Sequence, residues 1–148
     1  AYMMKGKLQL AESAFELCLK LNNHYEPALF NLAKVYQRQE KWAESTQQFK
    51  AFLEVAGPRP SAYTQMGFNL NRQSDWDNAK HFLEKSISLQ PEDINTRITL
   101  AETFTNLAQI KKAHEHLTTA LKMHPNPNQI EAINNMMLSL TSLKTTTP

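Results

Sequence analysis

Five histidines, a single cysteine and fourteen carboxylates are the groups best suited to chemistry in these 148 residues. Their spacing decides what chemistry is open to them. His114 and His116 stand two apart on a segment of helical periodicity, so they point to different faces and cannot chelate one metal ion from there. His24, His81 and His124 are isolated and read as surface or packing histidines. Cys18 alone cannot build a thiolate zinc site or an internal disulfide. Glu12 with Glu16, and Asp75 with Asp77, have the spacing of solvated helix faces and caps, and no Ser/His/Asp or paired-carboxylate motif accompanies them. Gly6, Gly57 and Gly67 are too dispersed for a phosphate-cradling loop, which needs clustered glycines so that backbone N–H groups can approach the ligand. The expectation is a non-enzymatic chain with no catalytic, metal or cofactor-binding residues.

Charge and hydropathy narrow the partners. The formal net charge is +2 and Lys111–Lys112 is the one adjacent basic pair. A nucleic-acid binder concentrates such residues in a patch or stripe, so no nucleic-acid partner is expected. No apolar run approaches the roughly 20 residues of a membrane helix, so membrane insertion is not expected either. One cysteine suits a reducing compartment such as the cytoplasm and is equally compatible with the periplasm, because helical arrays need no disulfide staples.

Self-similarity then organises the whole chain. Trp42 and Trp76 are 34 residues apart, and the same interval in both directions reaches Leu8 and Ile110. In the same register lie small residues (Ala11, Ser45, Ala79, Ala113) and large ones (Phe15, Phe49, Leu83, Leu117). Leu19, Leu53, Ile87 and Leu121 form a further column, as do Leu21, Val55, Leu89 and Met123. Within a copy the apolar residues keep the i, i+3, i+4, i+7 spacing of a buried helical stripe, as in Trp42, Phe49, Phe52, Leu53 and Val55. A second stripe precedes it: Leu29, Leu32, Ala33 and Tyr36, echoed by Tyr63, Met66, Gly67 and Leu70. Polar breaks such as Gln39-Glu40-Lys41 separate the stripes, and Pro58, Pro60, Pro91 and Pro125 separate the copies. Ser74 with Asp77 reads as a capping box that opens a helix. Each copy is therefore expected to be an antiparallel helix pair, with Ala33, Gly67 and Ala101 and the small column of the second helix allowing close approach. Cys18 shares a core column with Phe52, Ser86 and Ala120 and is expected to be a small buried hydrophobe.

These columns resemble the tetratricopeptide repeat. Leu32-Ala33, Tyr36, Ser45, Phe49 and Pro58 carry the likeness in one copy. Met66-Gly67, Leu70, Ala79, Leu83 and Pro91 carry it in the next, and Leu100-Ala101, Phe104, Ala113, Leu117, Ala120 and Pro125 in the last. Arg97 departs from the pattern where the family prefers an aromatic, Phe52 and Ser86 where it prefers alanine, and Asn23 and Gly57 where it prefers proline. The resemblance implies an all-α fold, an α-α superhelix of antiparallel helix pairs. Its repeats would fall at 1–25 (partial), 26–59, 60–93 and 94–127, with a capping helix over 128–144 and a flexible tail at 145–148. The chain would begin near the end of the first helix of a pair, with Leu8 to Leu21 as the second helix and part of its apolar face uncovered. The last helix would open at Asn126-Pro127 and bury Ile130, Ile133, Met137 and Leu140.

The resemblance also implies a partner-binding groove lined by the first helices. The matching positions are Phe30, Asn31, Lys34, Gln37 and Arg38, then Thr64, Gln65, Phe68, Asn71 and Arg72, then Ile98, Thr99, Glu102, Thr105 and Asn106. Amides and arginines there suit an extended backbone or an acidic side chain, and Phe30 and Phe68 suit apolar anchors. The carboxylate clamp of chaperone-binding members is not reproduced. Phe30, Lys34, Gln65, Asn95 and Thr99 occupy its places, so heat-shock chaperone tails are not expected as ligands. The expected function is a scaffold that holds a peptide or protein segment. The alternatives are a self-association module acting through the uncovered first repeat, or an accessory region of a larger protein with a catalytic or secretion-related domain.

Overall fold

A computed structural model describes residues 2–146, with side chains from 3 to 143. All described secondary structure is helical: α1 (Tyr2–Leu21), α2 (Glu26–Arg38), α3 (Trp42–Ala56), α4 (Pro60–Arg72), α5 (Trp76–Leu89), α6 (Ile94–Asn106), α7 (Ile110–Leu121) and α8 (Pro127–Thr146). Two compact units are present, one ending at Ser74 and the other beginning at Asp75.

In the first unit α2 packs on α1 and α3, and α3 packs on α4. Leu29, Leu32, Ala33, Phe49, Ala62 and Met66 are buried among these helices. The small-residue columns have a direct consequence here. With Ala33 and Ser45 fully buried, the Ser45 hydroxyl donates to the Ala33 carbonyl at 2.8 Å, an approach that two larger side chains would prevent. In the second unit one apolar cluster joins Leu83 of α5, Leu100, Ala101 and Phe104 of α6, Ala113, Leu117 and Ala120 of α7, and Ile133 and Leu140 of α8. Burial of this kind contributes about 25 cal/mol for each Å² of apolar surface withdrawn from water.

The turn inside each pair has a fixed conformation. Glu40, Ser74 and Ala108 adopt left-handed backbone angles, with φ of 60°, 60° and 59°, and they recur at the interval of 34. The Lys41 N–H reaches back to the Tyr36 carbonyl at 2.8 Å, and Gln109 to Phe104 at 2.8 Å. This six-to-one closure reverses the chain in two residues and satisfies carbonyls that a helix end leaves unpaired.

Several expectations are corrected. Ser74 is not a helix N-cap; it is the left-handed residue after α4, and Asp75 precedes α5 without a side-chain cap bond. A capping box forms instead at the start of α8, where the Gln129 N–H donates to Asn126 Oδ1 at 2.8 Å and the Asn126 N–H to Gln129 Oε1 at 2.9 Å. α1 runs unbroken through residues 5–7, where the register calls for a turn. Met3, Met4, Lys5, Lys7 and Leu8 are strong helix formers, and their local propensity prevails over the register. Cys18 is exposed, not buried. Ile133 and Leu140 of α8 are buried, whereas Ile130 is exposed. α8 continues to Thr146, so the tail expected at 145–148 begins as helix; its last two residues lie outside the described ones.

Candidate functional site

The expected groove residues divide by unit. In the first unit α2 presents Asn31 and Arg38 to solvent, with Lys34 half-buried, while α4 presents Phe68 and Arg72. Gln37 and Asn71 from the same rows are buried. Phe30 makes edge-to-face contacts with Phe49 and Phe52, at ring-centroid distances of 5.3 and 5.2 Å. Phe68 meets Trp42 at 6.0 Å, and the Arg72 guanidinium lies over both rings, 5.6 Å from Trp42 and 5.9 Å from Phe68. Cation–π geometry of this kind pre-positions the arginine while leaving its N–H groups available.

A polar chain runs inward from that surface. Lys34 Nζ donates to Gln65 Oε1 at 3.3 Å, which also accepts from Gln37 Nε2 at 3.0 Å. Gln37 Nε2 donates in turn to Asn69 Oδ1 at 2.7 Å, and Asn69 Nδ2 donates to Ser45 Oγ at 2.9 Å and Thr46 Oγ1 at 3.2 Å. Asn69 is fully buried and lies outside the groove positions that the repeat register marks. The signal was available, since its column holds Val35 in the copy before. Burial, with the neighbouring Arg38 charge adding to it, holds the Lys34 ammonium below the usual lysine range.

α1 is fastened to α2 and to the turn after it by two carboxylates. The Tyr36 hydroxyl donates to Glu16 Oε1 at 3.2 Å, and burial first, then the facing Glu16 charge, push that phenol up to about 12. Glu12 accepts from Gln39 Nε2 at 2.7 Å and pairs with Lys41 Nζ at 3.2 Å. The Gln39 bond is the main cause holding the Glu12 carboxyl below its ordinary range, with Lys41 adding to it against burial. Beside these contacts lies a hollow of about 340 Å³ between α1 and α2, bordered by Asn31, Lys34 and Arg38. A second hollow, of about 500 Å³, has a lining of mixed charge that includes Glu12, Glu40 and Lys41.

In the second unit the groove positions of α6 are largely satisfied by their own helix. The Thr105 hydroxyl donates to the Ala101 carbonyl and Asn106 Nδ2 to the Glu102 carbonyl, at 2.8 and 3.0 Å. Thr99 bonds the Asn95 carbonyl at 2.9 Å, and Ile98 packs against the apolar cluster. Ile98 and Thr99 border a hollow of about 400 Å³ with Asn95, Asn126, Asn128, Gln129 and Ala132. No charged side chain lines it.

A family model described as the tetratricopeptide repeat matches residues 70–133. A crystal structure of MamA superposes with a TM-score of 0.81 at 18% identity, covering 93% of this chain and 81% of that one. Residues 70–133 thus match the tetratricopeptide repeat, and the chain has the fold of such arrays. A second likeness is to YrrB, described as a TPR protein with an unusual peptide-binding site, with a TM-score of 0.74 and 15% identity over 93% of this chain and 71% of that one. The Yersinia enterocolitica type III secretion chaperone SycD, solved with a peptide of the translocator YopD, gives 0.71 and 17%, covering 78% of this chain and 92% of that one. Curated proteins with similar stretches include anaphase-promoting complex subunit 6 of Dictyostelium discoideum, 28% identical over 51% of this chain. The protein O-mannosyl-transferase Tmtc3 of Drosophila melanogaster is 23% identical over 66%, and the peroxisomal targeting signal receptor of Candida glabrata 28% over 64%. The matched stretches span 9%, 10% and 16% of those three proteins. Among the described residues no helix is long and apolar enough to cross a membrane, and no group of three or more His, Cys, Asp or Glu is placed to hold a metal ion.

Proposed function

We propose that the chain is a non-enzymatic scaffold whose first-helix faces hold a peptide or protein segment. The observation that carries this reading is the position of two hollows. One is bordered by Asn31, Lys34 and Arg38 of α2, and the other by Ile98 and Thr99 of α6, all of them groove positions implied by the repeat register. The peptide-binding site named for YrrB and the peptide in complex with SycD are consistent with such a use of the fold. Peptide display against the full chain tests it. Enriched peptides that lose binding on Arg38→Glu or Arg72→Glu, with the helical circular-dichroism signal unchanged, are the expected result; failure to enrich any peptide would sink the proposal.

A second reading is favoured by one observation. Met3, Leu10, Leu17 and Leu21 of α1 are exposed, and their spacing of seven and four aligns them on one helix face. An apolar stripe of that kind suits self-association or a further repeat of a longer chain. Light scattering across a wide concentration range separates the two readings, because a mass that stays monomeric removes self-association.

A further inference from the structure

We propose that the hollow between α1 and α2 takes a large apolar side chain presented by an acidic peptide segment; this rests on the groove reading above and narrows it to one chemistry of partner. The floor is apolar: Leu8, Ala11 and Phe15 of α1 face Val35 of α2. The rim is cationic, with Lys7 from α1 and Lys34 and Arg38 from α2, and Asn31 adds an amide. No carboxylate lines it. Among the described residues neither Lys7 nor Arg38 has a hydrogen-bond or ion-pair partner, and Lys34 is met by the neutral Gln65. Three like charges around a low-dielectric floor focus a positive potential that only an acidic partner relieves.

The other two hollows lack this combination. The one bounded by Glu12, Glu40 and Lys41, which shares Arg38 with this one, has two carboxylates in its lining, and the one on α6 has no charged lining. Size limits the occupant further. A volume of about 340 Å³ lies at the lower end of the range for ligand clefts, which suits one anchoring side chain with its flanking residues outside. Met4 stands at the mouth, largely exposed, and its flexible thioether can close over side chains of different shape. A free carboxylate would use the rim and waste the floor. An apolar peptide without acid would leave the cations unanswered. The acidic segment with an embedded aromatic or leucine uses both.

Fluorescence anisotropy of the full chain with three fluorescein-labelled peptides tests this. The probes are Glu-Asp-Phe-Leu-Asp-Glu, its amide counterpart Gln-Asn-Phe-Leu-Asn-Gln, and Glu-Asp-Ala-Ala-Asp-Glu. The first is expected to bind about tenfold or more tighter than either of the others, and more weakly as salt is raised. Lys7→Glu combined with Arg38→Glu should abolish that preference; both side chains are exposed, so the fold should survive, and a circular-dichroism melt verifies it. Glu131→Lys on α8 should leave the affinity unchanged. Equal affinity for the amide counterpart, or indifference to the double reversal, overturns the proposal. If peptide display still yields binders that depend on Arg72, the wider groove reading stands while this one falls; if neither assay detects binding, both fall.

Discussion

The two units follow one repeat register and yet differ in what lies buried between their helices. In the first unit, polar side chains bond across helices: Gln37 and Gln65 link α2 to α4, and Asn69 links α4 to α3. In the second, the hydroxyls of Thr99, Thr103 and Thr105 return to carbonyls four residues back on their own helix. An apolar cluster joins the helices, and Gln129 to Asn95 and Arg97 to His116 are polar contacts between helices outside that cluster. Charge divides in the same direction. Residues 1–74 hold nine Lys and Arg against six Asp and Glu, and residues 75–148 hold seven against eight. The columns that close the helix pairs are shared, so the difference lies where the repeat tolerates any residue. A repeat architecture thus leaves each unit free to choose between hydrogen-bonded and oily cohesion, and to assign its surface charge independently.

The contrast is broken most directly at one column. Asn69→Ala should cost about 3 kcal/mol, because it leaves buried hydrogen-bond partners on Gln37, Ser45 and Thr46 unmet and opens a small void. Thr103→Ala, its counterpart one repeat later, should cost nearer 1 kcal/mol, since the Thr99 carbonyl is already used within the helix. Urea denaturation of both variants decides it, and equal costs would mean that the cross-helix network adds nothing. A smaller effect sharpens the contrast by showing what the units share. Glu40→Gly and Ala108→Gly each remove a left-handed strain of about 1 kcal/mol, and both residues are exposed. Both variants should therefore melt higher by a similar amount. A gain confined to one of them would place the difference in the turns as well.

The smallest effect concerns pH and belongs to the second unit. His116 stacks on Phe104 with ring centroids 5.4 Å apart and planes 10° apart. Burial, and then the Arg97 charge, hold its imidazole below the ordinary 6.5, against the weaker pull of Glu84 and Glu115. The unfolded chain therefore binds the proton more readily, and stability contributed by neutral His116 is lost as pH falls below about 6.5. Thermal melts from about pH 7.5 down to about pH 5.5 should show a falling Tm. His116→Phe, which copies Phe82 in the same column, should flatten the slope; an unchanged slope would point to another group.

How much of this was legible depended on whether a residue's role repeats. The helix pairs and their small-residue contacts were readable because Trp42, Ser45 and Phe49 have partners in every copy. The end of the array was less so. Residues 5–7 occupy turn positions in the register, yet they are helical, in a run of strong helix formers. Ser74 and Asp77 have the spacing of a capping box, and the left-handed angle of Ser74 forbids it. Spacing does not report backbone conformation. For the candidate site, the register marks which face Lys34, Gln37 and Asn71 occupy, but not whether a given amide faces water or a partner. Gln37 is drawn inward by Asn69, a pairing across 32 positions that no local pattern encodes.

The exposed thiol of Cys18 has a practical consequence. As the sole cysteine in the sequence, it should accept one maleimide dye on the folded chain without any engineered substitution. A fluorophore placed there would sit on α1, the helix that supplies Lys7, Ala11 and Phe15 to the cationic hollow. Quenching or energy transfer to a labelled peptide could then report an encounter as it happens, on molecules whose sequence has not been altered. The same handle makes a reductant advisable during storage, since two such thiols can join chains covalently and imitate an association through the helices.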